Sequence, residues 1–354
     1  MQETPKTTGR VRRLVRRTAL GLIGLAMLLA ASGALYNALE LRWLRKAYPP
    51  PGKVYAVNGH AMHLYCTGAG SPTVVLESGR AESFLVWGKV QPDLSQTTRV
   101  CSYDRAGLGW SEAVDGPRDA DHIAAQLHDL LATAGIDGPL VLMGHSGGGL
   151  YIRSFAARYP ARVAGLVLLD ASTLGTAPLP ASVAALDHHG ALAMGLFKAA
   201  IALGIPRVMG ACSTPPPGFG ATANLWRADA CKPDYVTAVA REQAAGPASR
   251  AEVRQAGDFG DLPVLVFSRD TRLPRPRALP APVSTTDWQR ANALHDAGQE
   301  QLAHLSTHGR RIIAKGSGHY IHFERPELVV REVSDFVQRI RAGRDQPGLG
   351  TITE

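Results

Sequence analysis

The sequence predicts an α/β protein in which helices flank a mostly parallel sheet, with a helical region inserted late in the chain and one membrane-spanning helix before it. Between residues 73 and 170, short apolar runs typical of strands buried on both faces alternate with helical stretches. Residues 172–257 contain no such run, which marks the insertion. Residues 19–39 carry no charge, and this stretch is long enough to cross a bilayer.

Size and charge limit the classes of function. With 354 residues, the chain can form one large domain with a substantial core. Of the net charge of +8, +5 lies in residues 1–17, and the remaining +3 is ordinary for a domain of this size. We therefore expect no nucleic-acid partner. The charged residues of this basic tail are Glu3, Lys6, Arg10, Arg12, Arg13, Arg16 and Arg17.

The amino end predicts a membrane anchor. As a helix, Ala19–Leu39 would span roughly 30 Å, the thickness of the hydrocarbon core of a bilayer. Basic residues are denser before this stretch than after it, so we expect a single-pass protein with its domain on the periplasmic, extracytoplasmic side. The predicted parts are a cytoplasmic tail (1–17), a signal anchor (18–40) and a linker (41–53) that ends in Pro-Pro-Pro-Gly. A signal peptide cleaved after Ala34 is the alternative.

The folded domain is predicted to occupy residues 54–345 and to begin with a β-hairpin. Asn58-Gly59 favours a tight turn between two short strands. A helix is predicted from the acidic Asp119 to Ala134, just before Gly135, and a second helix over residues 151–159. The predicted strands of this first part are 54–57, 62–66, 73–77, 99–103, 140–143 and 163–170.

The alternation of strands and helices stops after residue 170 and later resumes. Residues 172–257 consist of alanine-rich helical stretches and proline-bearing turns, and we interpret them as a helical cap over the strand ends. Residues 346–354 are expected to be a frayed tail. The elements predicted between cap and tail are strands 263–267 and 310–314 and helices 288–305 and 326–341.

The segment at residues 144–148, Gly-His-Ser-Gly-Gly, lies between a predicted strand and a predicted helix. A serine flanked by glycines in this position is typical of a nucleophile elbow, a strained turn that exposes the serine hydroxyl. Side chains in place of the flanking glycines would collide with the neighbouring strand and helix. This motif makes Ser146 the candidate nucleophile and the Gly147 amide a candidate donor to an oxyanion.

Three motifs together resemble the α/β-hydrolase family, and the similarity covers about residues 50–340. They are the elbow, Tyr-Asp-Arg-Ala-Gly-Leu-Gly-Trp-Ser at 103–111 and Gly-Ser-Gly-His at 316–319. The sequence looks most similar to membrane-anchored bacterial members. The resemblance implies an eight-stranded, mostly parallel sheet and a serine–acid–histidine triad in that chain order. It also implies that the backbone amide of Arg80, in the loop after residue 77, is the second oxyanion donor.

The candidates for the base and the acid of the triad are residues that come directly after predicted core strands. His319 follows the last predicted core strand in a loop of small residues, and an imidazole there can exchange a proton with Ser146. Two aspartates compete for the acid. Asp170 ends the strand after the elbow helix, whereas Asp270 follows the next core strand but comes about two residues early for the usual loop. We favour Asp170, with Asp270 as the alternative.

The four cysteines form an even set in a chain predicted to be exported, which allows disulfides. The sheet order implied by the resemblance places the strand of Cys66 beside that of Cys101. We therefore expect a Cys66–Cys101 bridge and a Cys212–Cys231 bridge within the cap.

These observations predict a serine hydrolase that cleaves a small-molecule carboxylic ester through an acyl-enzyme, with no metal or organic cofactor. Serine chemistry equally serves amides, so an aminopeptidase-like amide or peptide hydrolase is the first alternative. A non-catalytic ligand receptor on the same fold is the second. The oligomeric state stays open.

Overall fold

The computed structural model describes residues 8–175, 177–186, 190–276, 283–344 and 350–354. Their strands form one sheet, and consecutive runs in the chain become neighbouring strands because short crossovers through helices favour that arrangement. The strands are β1 (Lys53–Val57), β2 (His60–Thr67), β3 (Thr73–Glu77), β4 (Val100–Tyr103), β5 (Leu140–His145), β6 (Val163–Leu169), β7 (Val264–Arg269), β8 (Gly309–Ala314) and β9 (Gly350–Thr353).

The sheet order is β1-β2-β4-β3-β5-β6-β7-β8-β9. Strand β2 pairs antiparallel with β1 and with β4, and the other neighbours are parallel. Asn58 and Gly59 in the β1–β2 turn both have positive φ, of 50° and 82°, as a type I′ turn requires. The sheet therefore has the predicted mostly parallel order, with nine strands instead of eight.

Strand β9 corrects the prediction of a frayed carboxyl-terminal tail. Residues 350–353 pair in parallel with β8, from Arg310↔Gly350 to Ile313↔Thr353. Ile352 packs against the apolar layer on one face of the sheet. One apolar residue in a four-residue strand leaves almost no alternating pattern in the sequence, which explains the missed strand. Residues 346–349 of the predicted tail lie outside the described residues.

Helices cover both faces of the sheet and fill the insertion between β6 and β7. Six of the helices in the described part of the chain, α5 to α10, lie in this insertion and make up the cap. The helices are α1 (Thr8–Ala47), α2 (Gln91–Leu94), α3 (Ala120–Thr133), α4 (Gly148–Arg158), α5 (Ala181–Ala184), α6 (Ala191–Ala202), α7 (Ile205–Val208), α8 (Ala223–Asp229), α9 (Pro233–Ala244), α10 (Gly246–Ala256), α11 (Thr285–Ala303), α12 (Ile321–Glu324) and α13 (Pro326–Arg341).

The apolar core lies in two layers, one on each face of the sheet. Leu140 and Leu142 of β5 face a layer that includes Leu127 of α3 and Phe155 of α4. The alternate residues of β5 face the second layer, which is completed by α13 and the 3-10 turn 84–87. Side chains alternate along a strand, so a strand covered on both faces is apolar throughout.

Both predicted disulfides are present. Cys66 and Cys101 lie opposite each other on β2 and β4, with an S–S distance of 2.07 Å. Cys212 and Cys231 join two parts of the cap, with an S–S distance of 1.94 Å.

Helix α1 is long and apolar enough to cross a membrane, and it continues to Ala47 instead of ending near residue 40. The expected linker 41–53 is therefore half helical. Residues 40–48 contain no proline or glycine, and Leu44 is buried against the domain, which favours continuation of the helix.

The second half of α1 also contacts the cap. The Asn37 side chain donates a hydrogen bond to the Ile201 carbonyl (3.1 Å) and accepts one from Nε of Arg207 (2.6 Å). Arg45 donates to the Gly109 carbonyl (2.7 Å). Helix α1 is thus packed against the domain along its last three turns.

Candidate active site

The elbow between β5 and α4 holds Ser146 in a conformation that few non-glycine residues adopt, with φ of +50°. Two close backbone approaches create the turn. A Cβ on Gly144 would lie 2.8 Å from the backbone of Gly148, and a Cβ on Gly148 would lie 2.6 Å from the Glu77 carbonyl oxygen. Neither position therefore has room for a side chain. The turn places Ser146 at the carboxyl edge of the sheet.

His319 and Asp170 meet at the same edge. Nδ1 of His319 lies 2.5 Å from Oδ2 of Asp170, although the two residues are 149 positions apart in the chain. Asp170 directly follows β6, and its φ of +41° turns the buried carboxylate toward the loop after β8. The structure thus brings the predicted base together with the favoured acid.

Asp170 has two further cationic or polar partners. Nε2 of His295, on α11, lies 2.9 Å from its Oδ1, and the Arg269 backbone amide donates to the same oxygen (2.9 Å). Burial alone would raise the pKa of Asp170, but the imidazoles of His295 and His319 outweigh it and hold that pKa well below the ordinary value. The carboxylate is therefore ionised and fixed in position.

Asp270 lies elsewhere, at the start of the loop after β7. Its carboxylate accepts hydrogen bonds from Nε of Arg272 (2.7 Å) and from the Gly316 amide (3.0 Å). These bonds, chiefly the one from Arg272, lower its pKa to about 2. The alternative acid thus braces two loops against each other, and its hydrogen bonds within the described residues go to Arg272 and Gly316.

The two predicted oxyanion donors are close to each other. Gly147 begins the turn into α4, and a Cβ on it would lie 3.4 Å from the Arg80 backbone nitrogen. The next residue, Ala81, has φ of +68°, so the loop after β3 turns sharply here. The two amides can therefore serve one small acceptor near Ser146.

A cavity of about 790 Å³ extends from these loops into the cap. Ala81 and Tyr320 line it on the side of the sheet, and each is the chain neighbour of a predicted site residue. Phe197, Ile201 and Pro206 line it on the side of the cap. This volume fits a small molecule with a sizeable apolar part.

Known proteins share this fold. The family described as alpha/beta hydrolase fold matches residues 72–193. An uncharacterised protein of Schizosaccharomyces pombe is 30% identical over 332 residues, which cover 80% of this chain and 58% of that protein. The chain has the α/β-hydrolase fold. The uncharacterised protein YbdG of Bacillus subtilis is 29% identical over 168 residues, covering 47% of this chain and 50% of that one. The chain thus spans about half the length of the first curated relatives it matches.

Solved structures with the same fold match most of the chain. The epoxide hydrolase CorEH aligns with a TM-score of 0.60 and 21% identity, covering 82% of this chain and 99% of that one. An esterase from Thermogutta terrifontis aligns with a TM-score of 0.56 and 20% identity, covering 82% and 99% of the two chains. These similarities show a shared fold.

Arg105 organises the loop that carries Arg80. Its guanidinium donates to the carbonyl oxygens of Ser78 (2.7 Å) and Gly79 (2.8 Å). It also forms buried ion pairs with Glu77 (2.7 Å) and, from the cap, with Glu242 (2.8 Å). Burial would lower the pKa of Arg105, but the two carboxylates raise it well above its ordinary value. Arg105 therefore connects the cap to the loop that carries Arg80.

The side chain of His145 lies beside that of His319. Its Nδ1 is 3.0 Å from a Glu82 carboxylate oxygen, and its Nε2 is 3.1 Å from the His319 carbonyl oxygen. Both partners are acceptors, so both ring nitrogens donate and the imidazole is cationic. Burial would lower the pKa of His145, but the charge of Glu82 outweighs it and raises that pKa. The pair holds the backbone of the catalytic-base candidate.

Sequence reasoning missed His295, Glu242 and Glu82 as neighbours of the site. Each contacts its partner across a large distance in the chain, 137 residues for Glu242 and Arg105 and 63 for Glu82 and His145. None lies in a motif with recognisable spacing. Only the sheet order and the position of the cap bring these side chains to the site.

Proposed function

We propose that the chain is a serine hydrolase that cleaves a carboxylic ester, with Ser146 as nucleophile, His319 as general base and Asp170 as the acid that orients it. The contact of 2.5 Å between His319 Nδ1 and Asp170 Oδ2 carries this proposal, together with the elbow that holds Ser146 at φ +50°. A nucleophile–base–acid set at one sheet edge is the arrangement that acyl transfer needs.

In the proposed reaction, Nδ1–H of His319 donates a hydrogen bond to the Asp170 carboxylate, so the unprotonated Nε2 can take the proton of the Ser146 hydroxyl. The oxygen of Ser146 attacks the ester carbonyl and forms a C–O bond, and the carbonyl π electrons move to the oxygen. When the intermediate collapses, the alcohol leaves with the proton from His319. Water then attacks the acyl-enzyme by the same route and releases the acid.

The negative oxygen of each tetrahedral intermediate would lie between the amides of Gly147 and Arg80. Their proximity supports this role, since two preorganised donors in a water-poor site stabilise such an oxyanion by several kcal/mol, roughly 3 for each donor. The loop contacts of Arg105 fix the second donor.

The related proteins support hydrolysis as the reaction class. They include the epoxide hydrolase and esterase described above and, at 33% identity over 124 residues, a 2-hydroxy-6-oxo-2,4-heptadienoate hydrolase of Pseudomonas putida. A serine in place of an aspartate at the elbow favours esters over epoxides, since epoxide opening uses a carboxylate nucleophile. The reaction needs no metal or organic cofactor.

We further propose that α1 is a retained signal anchor and that the catalytic domain lies on the extracytoplasmic side of the membrane. The basic residues in the first turns of α1, the uncharged length that follows them and the two disulfides support this location. The contacts of Asn37 and Arg45 with the domain support retention of the helix. An amino-terminal tag should remain on the protein extracted from membranes, whereas loss of the tag would indicate cleavage.

A fluorophosphonate probe tests the activity. The full chain in detergent should be labelled at Ser146, as mapped by peptide mass spectrometry, and Ser146→Ala should not be labelled. Folded wild-type protein that resists the probe would refute the enzyme and favour a receptor. Parallel assays with a nitrophenyl ester and the matching nitroanilide would separate an esterase from an amide hydrolase, and faster turnover of the anilide would refute the ester assignment.

A further inference from the structure

One surface of the cap is apolar and exposed. Residues Leu192, Leu196, Leu203, Ile205, Val208 and Met209 of α6, α7 and the adjoining turns form this surface, here called the apolar cap face. Their exposed fractions run from 39% to 78%, a range that includes those of the bilayer-length part of α1, for example Leu28 at 64%. Exposed apolar clusters of this kind mark a surface that meets another apolar phase.

The apolar cap face lies beside the segment of α1 that is predicted to be in the membrane. A Cβ on Gly33 would lie 2.3 Å from the Leu203 carbonyl oxygen, and a Cβ on Gly204 would lie 2.1 Å from that of Gly33. Helix and cap thus touch backbone to backbone. Gly33 lies six residues before the end of the uncharged stretch at Leu39, which corresponds to roughly 9 Å along the helix axis. The cap face therefore reaches below the membrane surface if Ala19–Leu39 spans the bilayer.

The two charged residues of α6 and α7 are both compatible with a location of these helices in the lipid interface. Arg207 is buried against α1, with Nε donating to Asn37 (2.6 Å) and Nη2 donating to the Ala230 carbonyl (2.8 Å). The other charged residue of these helices, Lys198, is exposed on a long flexible side chain. Such a side chain can extend to lipid headgroups while its helix stays in the interface.

The same helices form a wall of the cavity. Phe197 and Ile201 of α6 and Pro206 of α7 line the cavity, whose far side is lined by Ala81 and Tyr320 at the site. An apolar molecule in the outer leaflet would therefore meet the cap face and the cavity without crossing water.

We propose that the apolar cap face is embedded in the lipid bilayer and that the substrate is a lipophilic long-chain ester that enters the cavity from the membrane. The substrate class rests on the ester hydrolase function proposed above, whereas the bilayer contact does not. The bilayer is favoured over a second copy of the chain because the cap face is continuous with the apolar surface of α1.

Fluorescence tests the bilayer contact. Met209→Cys carries an environment-sensitive NBD label, and the full chain is reconstituted into phosphatidylethanolamine–phosphatidylglycerol vesicles. Asp137→Cys, exposed just before β5 at the opposite edge of the sheet, is the matched control. We expect a blue-shifted emission and quenching by brominated lipids at position 209 and neither at 137. Emission typical of water at position 209 would overturn the proposal. So would a blue-shifted emission that persists in detergent when the protein is a dimer, because a second copy of the chain would then cover the label.

Activity tests the substrate class. Two hydrolysis rates are measured, one with a long-chain ester dissolved in vesicles and one with a short-chain ester in water. The ratio of the first rate to the second should fall at least tenfold in the double variant Leu196→Glu/Val208→Glu. Val54→Glu changes an exposed valine of β1 (51% exposed) and should keep the ratio within twofold. An unchanged ratio in the double variant would refute entry from the membrane. Failure of wild-type protein to react with either ester or with the fluorophosphonate would refute the ester function, and the fluorescence result would still decide the bilayer contact.

Discussion

The assignment of Asp170 as the catalytic acid makes a sharp prediction, because the rival carboxylate Asp270 offers a matched control. Asp170→Asn keeps the size of the side chain but removes the charge that faces His319 Nδ1 (2.5 Å) and His295 (2.9 Å). An amide nitrogen at Oδ2 would present a donor to a ring nitrogen that now donates, so His319 would change tautomer and turn its proton toward Ser146.

The expected loss is large. A tautomer error at this position lowers kcat by about 10⁴-fold in a serine protease triad, equivalent to about 5.5 kcal/mol of transition-state stabilisation. We expect a loss of about that size in kcat for a nitrophenyl ester with Asp170→Asn. Asp270→Asn removes only contacts with Arg272 and the Gly316 amide, so we expect kcat within a factor of about 3 of wild type.

Steady-state ester hydrolysis and the rate of fluorophosphonate labelling measure both variants. Circular dichroism melts confirm that each is folded. If Asp270→Asn abolished turnover while Asp170→Asn kept it, the assignment drawn from the His319 contact would be wrong.

Three further predictions concern the surroundings of the site. Glu242→Gln should lower the free energy of unfolding by about 3 kcal/mol in urea titrations, because it leaves the buried cation of Arg105 with one ionic partner fewer. The raised pKa of His145 means that its pair with Glu82 contributes fully below about pH 6.5, the pKa of an unfolded histidine. The melting temperature should therefore fall as pH rises through the higher pKa of the folded state, and this fall should be absent in Glu82→Gln. Gly148→Ala should prevent labelling by the fluorophosphonate, because the new Cβ would lie 2.6 Å from a carbonyl oxygen of β3.

Each of these has a control or a contradicting result. Glu252→Gln changes a less buried cap glutamate and should alter the unfolding free energy by less than about 1 kcal/mol. A melting temperature that is flat above pH 6.5 in wild type would contradict the cationic state of His145. Gly138→Ala, where a Cβ meets nothing within 4 Å, should label normally, and equal labelling of Gly148→Ala would show that the elbow tolerates a side chain.

The sequence was sufficient to select candidates for the nucleophile and the base because both lie in short motifs next to core strands. Ser146 follows a buried strand and precedes a helix, and this local order already defines the turn. Choosing between the two candidate acids required the three-dimensional structure. Asp170 and Asp270 both follow core strands, and only the positive φ of Asp170 and the bond from Arg272 to Asp270 direct one carboxylate to His319 and the other away.

Other features depended on contacts that leave no local pattern. The partner of Arg105 in the cap, Glu242, is 137 residues away, and the short β9 contains one apolar residue that faces the core. The cost of removing two charged side chains from water is offset only when the fold brings them together. In the sequence, therefore, a glutamate or arginine of a buried ion pair looks the same as one on the surface.

The continuation of α1 to Ala47 changes the physical meaning of the amino-terminal anchor. A flexible linker over residues 41–53 would let the domain rotate above the membrane, and any surface could then face the lipid. Instead, Leu44 is buried, Arg45 donates to the Gly109 carbonyl and Asn37 bonds to the cap, so only the short segment from Tyr48 to Gly52 lies between helix and sheet. A helix fixed at these points holds the domain at one height and in one orientation. If α1 spans a bilayer as proposed, its packing therefore sets which side of the domain faces the lipid, and the contacts of Asn37 place the cap on that side.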